Sequence, residues 1–188
     1  MAEITFYLVR HGEAENNVRS LLNSFPAKKE YPLTETGREQ VAKTAAFLST
    51  VGADTLLSSP LLRAKQTAEI IAEATGLPIA FDERLYEVGM GVFNGKSQEA
   101  LLKKYPKSEM RLAPDMADRM ESFLQVRGRL EIFLDEMKER FSGKKVIVVS
   151  HADTLEQLHG ILTKEGPGRA AEGWWPEKGS CTEVEYIF

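Results

Sequence analysis

Short apolar runs alternate with amphipathic stretches along this chain. Residues 4–9 and 146–149 are rich in strand-favouring residues, and each run ends abruptly in polar side chains. Such runs are typical of strands that are buried in a sheet. Residues 55–58, 79–81 and 182–187 have similar but weaker patterns. The sequence therefore predicts five strands.

Helical periodicity fills the intervals between these strands. Residues 61–75 and 118–141 carry apolar side chains at three- and four-residue intervals, as in a helix that buries one face. Ser59 is expected to cap the first of these helices, with Pro60 at its first helical position. Further helices are predicted from Thr34 or Thr36 to about Gly52, over 97–105, and from about 151 to 162.

The alternation of strands and helices predicts a three-layer α/β/α sandwich with a mainly parallel, mixed sheet. No repeat or low-complexity linker interrupts the chain, so a single domain over 1–188 is expected. Residues 106–115 form a polar stretch flanked by prolines, and we expect an exposed insertion there, within a variable region around 97–119.

Composition narrows the classes of function. The chain has 188 residues, a net charge of −4 and one cysteine, which excludes an intramolecular disulfide and a cysteine-clustered zinc site. It contains no apolar run near the roughly 20 residues of a membrane-spanning helix and no secretory signal. We therefore expect a cytoplasmic protein with neither a membrane nor a nucleic acid as its partner.

Two histidines follow predicted strands directly. Arg10 and His11 come after the first strand, and Ser150 and His151 come after the fourth. Ligands in layered α/β folds bind beyond the carboxyl ends of parallel strands. The two histidines are therefore expected to converge on one site.

Several segments resemble the histidine phosphatase superfamily, also called phosphoglycerate-mutase-like. They are LVRHGEAENN at 8–17, SSPLLRAKQTA at 58–68 and VVSH at 148–151. Weaker similarity occurs at 33–40, 84–95 and 120–130. The matching segments follow the family's order over most of the chain, and the resemblance implies the phosphoglycerate-mutase-like fold.

The resemblance also implies roles for individual residues. His11 would be phosphorylated, Arg10 and Arg63 would hold the phosphoryl oxygens, and His151 would complete the pocket. Glu87 matches the position of the family's proton donor, although other acids of the chain compete for that role. These residue types suit phosphoryl transfer, which needs fixed positive charge, an in-line nucleophile and an acid for the leaving oxygen.

Four further positions concern the same pocket. Asn17 resembles the family's pocket asparagine, and the backbone at Gly12 could donate to the same oxygens. Ala14 stands where a hydroxyl residue is frequent, and Asp153 stands where a glycine is more usual. A carboxylate at Asp153 would either repel a substrate or orient a neighbouring cation, so we expect it to affect specificity.

The sequence thus predicts a phosphatase that hydrolyses small phosphomonoesters through phospho-His11, with no metal or cofactor. A cofactor-dependent phosphoglycerate-type mutase is the first alternative, although the family's mutases that use a bisphosphate tend to be longer. A phosphate-ligand-binding protein with weak or no turnover is the second. The expected partner is a small phosphorylated metabolite, and both a monomer and a homodimer are compatible with the sequence.

Overall fold

The computed structural model describes residues 2–167 and 173–188. In chain order its main elements are β1 (Glu3–Arg10), α1 (Glu15–Val18), α2 (Glu35–Leu48), β2 (Thr55–Ser58), α3 (Leu62–Thr75), β3 (Ile79–Phe81), α4 (Gln98–Lys104), α5 (Phe123–Phe141), β4 (Lys145–Ser150), α6 (Ala152–Leu162) and β5 (Cys181–Ile187). Short 3-10 helices lie between β3 and α5. Of the helices in the described residues, none is both long and apolar enough to cross a membrane.

The five strands form one sheet in the order β3-β2-β4-β1-β5. The four strands from β3 to β1 run parallel, and β5 pairs with β1 in the antiparallel direction. The mainly parallel, mixed sheet that the sequence predicts is therefore confirmed. Because β1 and β4 are parallel neighbours, their carboxyl ends emerge side by side.

Helices cover both faces of the sheet, each over its own apolar core. Alternate side chains of β1 point to opposite faces, as a strand requires: Phe6 and Leu8 pack beneath α5 and α6, and Tyr7 and Val9 pack beneath α2 and α3. The residues of β4 divide in the same way. This arrangement confirms the three-layer α/β/α sandwich.

The sequence pattern predicts the start of α2 but not that of α3. Thr34 caps α2 by accepting a hydrogen bond from the Gly37 amide at 3.0 Å. The prediction that Ser59 caps α3 is wrong, because α3 begins at Leu62. The Ser59 amide instead extends the sheet by donating to the Val149 carbonyl at 2.9 Å.

The segment before α5 is also built differently from the expectation. Ser122 caps α5, so the predicted start at 118 is wrong. Asp118 belongs to a 3-10 turn, which its ion pair with Lys104 at 2.6 Å ties to the end of α4. The expected exposure of 106–115 is wrong in one respect that matters, because Arg111 is 92% buried there.

Candidate active site

The ends of β1 and β4 bring the two predicted histidines together. Arg10 pairs with Ser150 in the sheet register, and the His11 amide donates to the Ser150 carbonyl at 3.1 Å. The His11 and His151 rings then lie with their centres 5.1 Å apart. The convergence predicted from strand order is therefore confirmed.

Hydrogen bonds fix the tautomer of His11. Its Nδ1 lies 2.7 Å from the Gly12 carbonyl, which can only accept, so Nδ1 carries the proton. The Nε–H of Arg63 donates to Nε2 at 3.0 Å, so Nε2 presents a lone pair. Burial, together with the charges of Arg63 and Arg10, lowers the pKa of His11 well below its ordinary value. The imidazole is neutral at neutral pH and nucleophilic at Nε2.

Arg63 lies in the first turn of α3 and is almost completely buried. Besides His11, it donates to Oδ1 of Asn23 at 2.6 Å and to the Asn23 carbonyl at 3.0 Å. Burial lowers the pKa of the guanidinium to about 10 against the opposing charge of Glu87, so Arg63 remains cationic at neutral pH. The sequence analysis did not identify Asn23, which holds this fork in place.

A cavity of about 460 Å³ opens over these groups, and Arg10, His11, Arg63 and Glu87 border it. The Nη1–H of Arg10 donates to the Pro176 carbonyl at 2.9 Å. Two arginines beside a neutral imidazole give this end of the cavity positive charge and hydrogen-bond donors, which are the groups that suit an anion such as a phosphoryl group.

Glu87 is held at the cavity by the start of α6. Its Oε1 accepts from the Val88 amide at 3.0 Å and from the Thr154 amide at 3.3 Å. The Thr154 hydroxyl also lies 3.3 Å from Oε1 but donates its single hydrogen to the Tyr86 carbonyl at 2.7 Å. Burial, with a further contribution from the charge of Asp153, raises the pKa of the Glu87 carboxyl, and Arg63 opposes this shift. A carboxyl with a raised pKa can hold a proton for transfer.

Three other acids compete with Glu87 for the proton-donor role on sequence grounds, and the structure places them elsewhere. Glu13 accepts from the Thr34 hydroxyl at 3.0 Å, and Glu15 pairs with Arg19 on the surface. Neither these two nor Glu83 borders the cavity. In the described part of the chain, no cluster of three or more His, Cys, Asp or Glu side chains is arranged to hold a metal ion.

His151 is not among the residues that border the cavity, so the expectation that it completes the phosphate pocket stays a prediction. Its Nε2 is 2.8 Å from the hydroxyl of Ser59, the residue that fails to cap α3. Its Nδ1 is buried and has no hydrogen-bond partner among the described residues. Burial and the charge of Arg63 lower the pKa of His151 well below its ordinary value. An oxygen reaching this nitrogen would relieve the cost of its burial.

The backbone of Gly12 does not face the cavity as expected. Its amide donates to the Thr67 hydroxyl at 3.2 Å, so this donor is already engaged and the prediction that it binds an anion lacks support. A Cβ at Gly12 would lie 2.4 Å from the Gly37 carbonyl. The glycine therefore permits close packing between the end of β1 and α2.

Asn17 borders the cavity, but its Oδ1 accepts from the Ala14 amide at 3.0 Å. Ala14 precedes α1 and lacks a side-chain acceptor that could cap the helix. Asn17 thus ties down the helix start where the family pattern often has a hydroxyl residue. Its neighbour Asn16 also borders the cavity, and its buried Oδ1 has no partner among the described residues.

Asp153 orients a cation, which is one of the two possibilities considered for it. It accepts two hydrogen bonds from Arg111, at 3.1 and 2.9 Å, in a two-pronged ion pair. The Arg111 guanidinium also lies 4.5 Å from the centre of the Phe123 ring. Arg111 was missed because nothing in its polar, aperiodic segment marks a buried residue, and the unusual acid at Asp153 was the one hint of a partner.

Comparisons with known proteins agree with this geometry. Residues 6–187 match the family described as "Histidine phosphatase superfamily (branch 1)". The chain is 32% identical over 161 residues, 86% of its length and 77% of the relative's, to "Uncharacterized phosphatase PhoE" of Bacillus subtilis strain 168. It is 31% identical over 153 residues, 79% and 70% of the two chains, to "Probable phosphoglycerate mutase GpmB" of Escherichia coli O1:K1. The solved structure of Bacillus stearothermophilus YhfR matches with a TM-score of 0.83 and 27% identity, covering 96% of this chain and 90% of that one. The resemblance identified from the sequence motifs is confirmed.

Proposed function

Because the chain belongs to branch 1 of the histidine phosphatase superfamily, we propose that it hydrolyses small phosphomonoesters through a phosphohistidine on His11. The observation that carries this proposal is the Nε2 lone pair of a neutral, buried His11 between two arginines at the end of a cavity. That arrangement supplies a nucleophile and the charge that phosphoryl transfer requires.

In the first step, Nε2 of His11 attacks phosphorus as the bond from phosphorus to the ester oxygen breaks. Arg10 and Arg63 neutralise charge on the phosphoryl oxygens. The Nε–H of Arg63, which donates to Nε2 of His11 before the reaction, now donates to one of these oxygens. Glu87 gives its proton to the leaving oxygen, so the alcohol departs neutral.

In the second step, water attacks the phosphohistidine. Glu87, now a carboxylate, takes a proton from that water, the bond from Nε2 to phosphorus breaks, and phosphate leaves. The neutral imidazole and the protonated Glu87 are restored, so the cycle closes without a metal ion.

A phosphoglycerate-type mutase is the second candidate, supported by the relative named as a probable phosphoglycerate mutase. Its first step would be the same, and the phosphoryl group would then pass to a sugar acid instead of water. Incubation with 3-phosphoglycerate separates the two, because a phosphatase releases inorganic phosphate whereas a mutase yields the 2-phospho isomer, and 31P NMR resolves these products.

Hydrolysis of p-nitrophenyl phosphate in excess chelator tests the leading proposal. We expect chelator-resistant turnover that His11→Ala abolishes. His159→Ala is the matched control, because that ring stacks on Trp174 with centres 4.3 Å apart and does not border the cavity. Turnover that survives in His11→Ala would refute the phosphohistidine. An inactive wild type that binds phosphate tightly would favour the binding-protein alternative.

A further inference from the structure

The cavity extends beyond the phosphoryl end to where the alcohol half of a substrate would lie. Arg111 and Asp153 border the cavity, together with Glu156, which lies one turn after Asp153 in α6. The charge of Asp153 acts on Glu87, the proposed proton donor to the leaving oxygen, so we place the pair beside the alcohol half. Arg111 comes from the irregular segment between α4 and α5, and Asp153 comes from the first turn of α6. The ion pair therefore connects the segment between α4 and α5 to helix α6.

The geometry of this pair leaves little positive charge for a substrate. Both Nη atoms of Arg111 donate to the two carboxylate oxygens of Asp153, and the side chains are 10% and 15% exposed. A two-pronged arginine–carboxylate pair of this kind is strong and directional. A second anion approaching Arg111 would have to compete with a carboxylate that is fixed in place.

The other described cations that border the cavity do not substitute for the positive charge of Arg111. Arg10 and Arg63 lie at the nucleophile, and Lys178 lies 3.6 Å from the carboxylate of Glu13. Apolar side chains, including Leu101 and Leu102 of α4, form another part of the lining. Apart from Arg10, Arg63 and Lys178, the described lining therefore offers apolar and uncharged polar side chains, the Arg111–Asp153 pair and the carboxylates of Glu87 and Glu156.

We propose that Asp153 is a specificity-determining residue: by neutralising Arg111, it makes the site select phosphomonoesters of uncharged alcohols over those that carry a carboxylate. This inference rests on the proposed phosphatase function and defines its substrate class. A carboxylate placed near the pair meets the negative charge of Asp153 and loses its hydration without gaining a cation.

Two substrates that differ by one group provide the test. Glycerol 3-phosphate and 3-phosphoglycerate share a three-carbon skeleton, with a hydroxymethyl group in the first where the second has a carboxylate. With the wild type we expect kcat/KM for phosphate release to be at least about tenfold higher for glycerol 3-phosphate, since tenfold corresponds to about 1.4 kcal/mol. Equal values, or a preference for 3-phosphoglycerate, would overturn the inference without any variant.

Asp153→Asn then tests the cause. Without the carboxylate, Arg111 keeps its charge and can bind an anion, so the preference ratio should fall by about tenfold or more. Because the ratio compares two substrates on one enzyme, it cancels any change in the proton donor. The matched control is Asp82→Asn, which removes a two-pronged partner of Arg84 that is 14% exposed and lies away from the cavity.

A double variant, Arg111→Gln with Asp153→Asn, covers the case in which Asp153→Asn alone folds poorly. It removes both charges, so the wild-type preference should largely return. A ratio that stays at the wild-type value in folded Asp153→Asn would refute the role of Asp153. Hydrolysis of p-nitrophenyl phosphate by the wild type, dependent on His11, shows separately whether the proposed function itself holds.

Discussion

Asn23 holds the guanidinium of Arg63, which faces the proposed nucleophile. Asn23→Ala therefore tests whether the fixed orientation of Arg63 matters for turnover. The variant removes the side-chain acceptor at 2.6 Å from Nη1 and leaves the backbone acceptor at 3.0 Å from Nη2. It also removes the bond from Asn23 Nδ2 to the Lys29 carbonyl at 3.0 Å. Arg63 keeps its contact with His11 but gains freedom at one end of its fork.

The expected size follows from these contacts. Ordering an arginine side chain costs about 1.5–2 kcal/mol. Of the three hydrogen bonds that the Arg63 guanidinium donates to described residues, two remain in the variant. We therefore expect the variant to bind substrate about 1 kcal/mol less favourably, which corresponds to a roughly fivefold lower kcat/KM. Loss of a hydrogen bond to a buried charge should also lower the free energy of unfolding by about 1.5–3 kcal/mol.

Steady-state hydrolysis of p-nitrophenyl phosphate and urea unfolding measure the two effects. Asn94→Ala is the control: its side chain bonds to the Ser24 amide and carbonyl and to the Pro26 carbonyl, so it holds the same loop without touching Arg63. The reasoning is refuted if folded Asn23→Ala keeps kcat/KM within about twofold of the wild type. It is equally refuted if Asn94→Ala lowers kcat/KM as much as Asn23→Ala does.

Three further outcomes follow from the structure. Gly37→Ala should lower the free energy of unfolding by about 3 kcal/mol, because its Cβ would lie 2.0 Å from a backbone carbonyl. Gly128→Ala is the control, since Gly128 is a helical site with open space around it. In the same urea titration it should raise the free energy of unfolding by up to about 1 kcal/mol. The acid limb of kcat/KM should lie below the ordinary histidine pKa, since burial and the neighbouring arginines lower the pKa of His11 and keep it neutral there; loss of activity at the ordinary value would contradict this. The alkaline limb of kcat/KM should lie above the ordinary glutamate pKa, since burial raises the pKa of Glu87 and activity needs its proton. Glu87→Gln should remove that limb and slow the turnover of substrates with poor leaving groups.

Local pattern predicted the sheet well because each strand is a short apolar run bounded by polar residues. The start of α3 was not predictable in this way, whereas Ser122 and Gln125 form a capping box at the start of α5, a local pattern that the prediction of 118 overlooked. Ser59 and Pro60 have good capping chemistry, but the Ser59 amide bonds to β4 and its hydroxyl bonds to His151. These contacts come from residues about 90 positions away in the chain, which no local pattern contains.

The same distinction divides the site. Arg10, His11 and His151 follow directly from strand ends, so the topology of a parallel sheet places them together. Asn23 and Arg111 lie in irregular segments and meet partners 40 and 42 residues away. The residues at the strand ends were therefore predictable from the sequence, whereas Asn23, which holds Arg63, and Arg111, which pairs with Asp153, required the structure.

The arginines of the phosphoryl end act in two stages of the proposed reaction. Before substrate binds, burial and the charges of Arg63 and Arg10 lower the pKa of His11, so the nucleophile is neutral. An arriving phosphoryl dianion offsets that positive charge, and its own charge opposes ionisation of Glu87, whose pKa burial already raises. Substrate binding thus strengthens the hold of Glu87 on its proton until the leaving oxygen develops charge. Burial and the two arginines therefore keep His11 neutral before substrate binds, and the dianion that the arginines attract keeps Glu87 protonated afterwards.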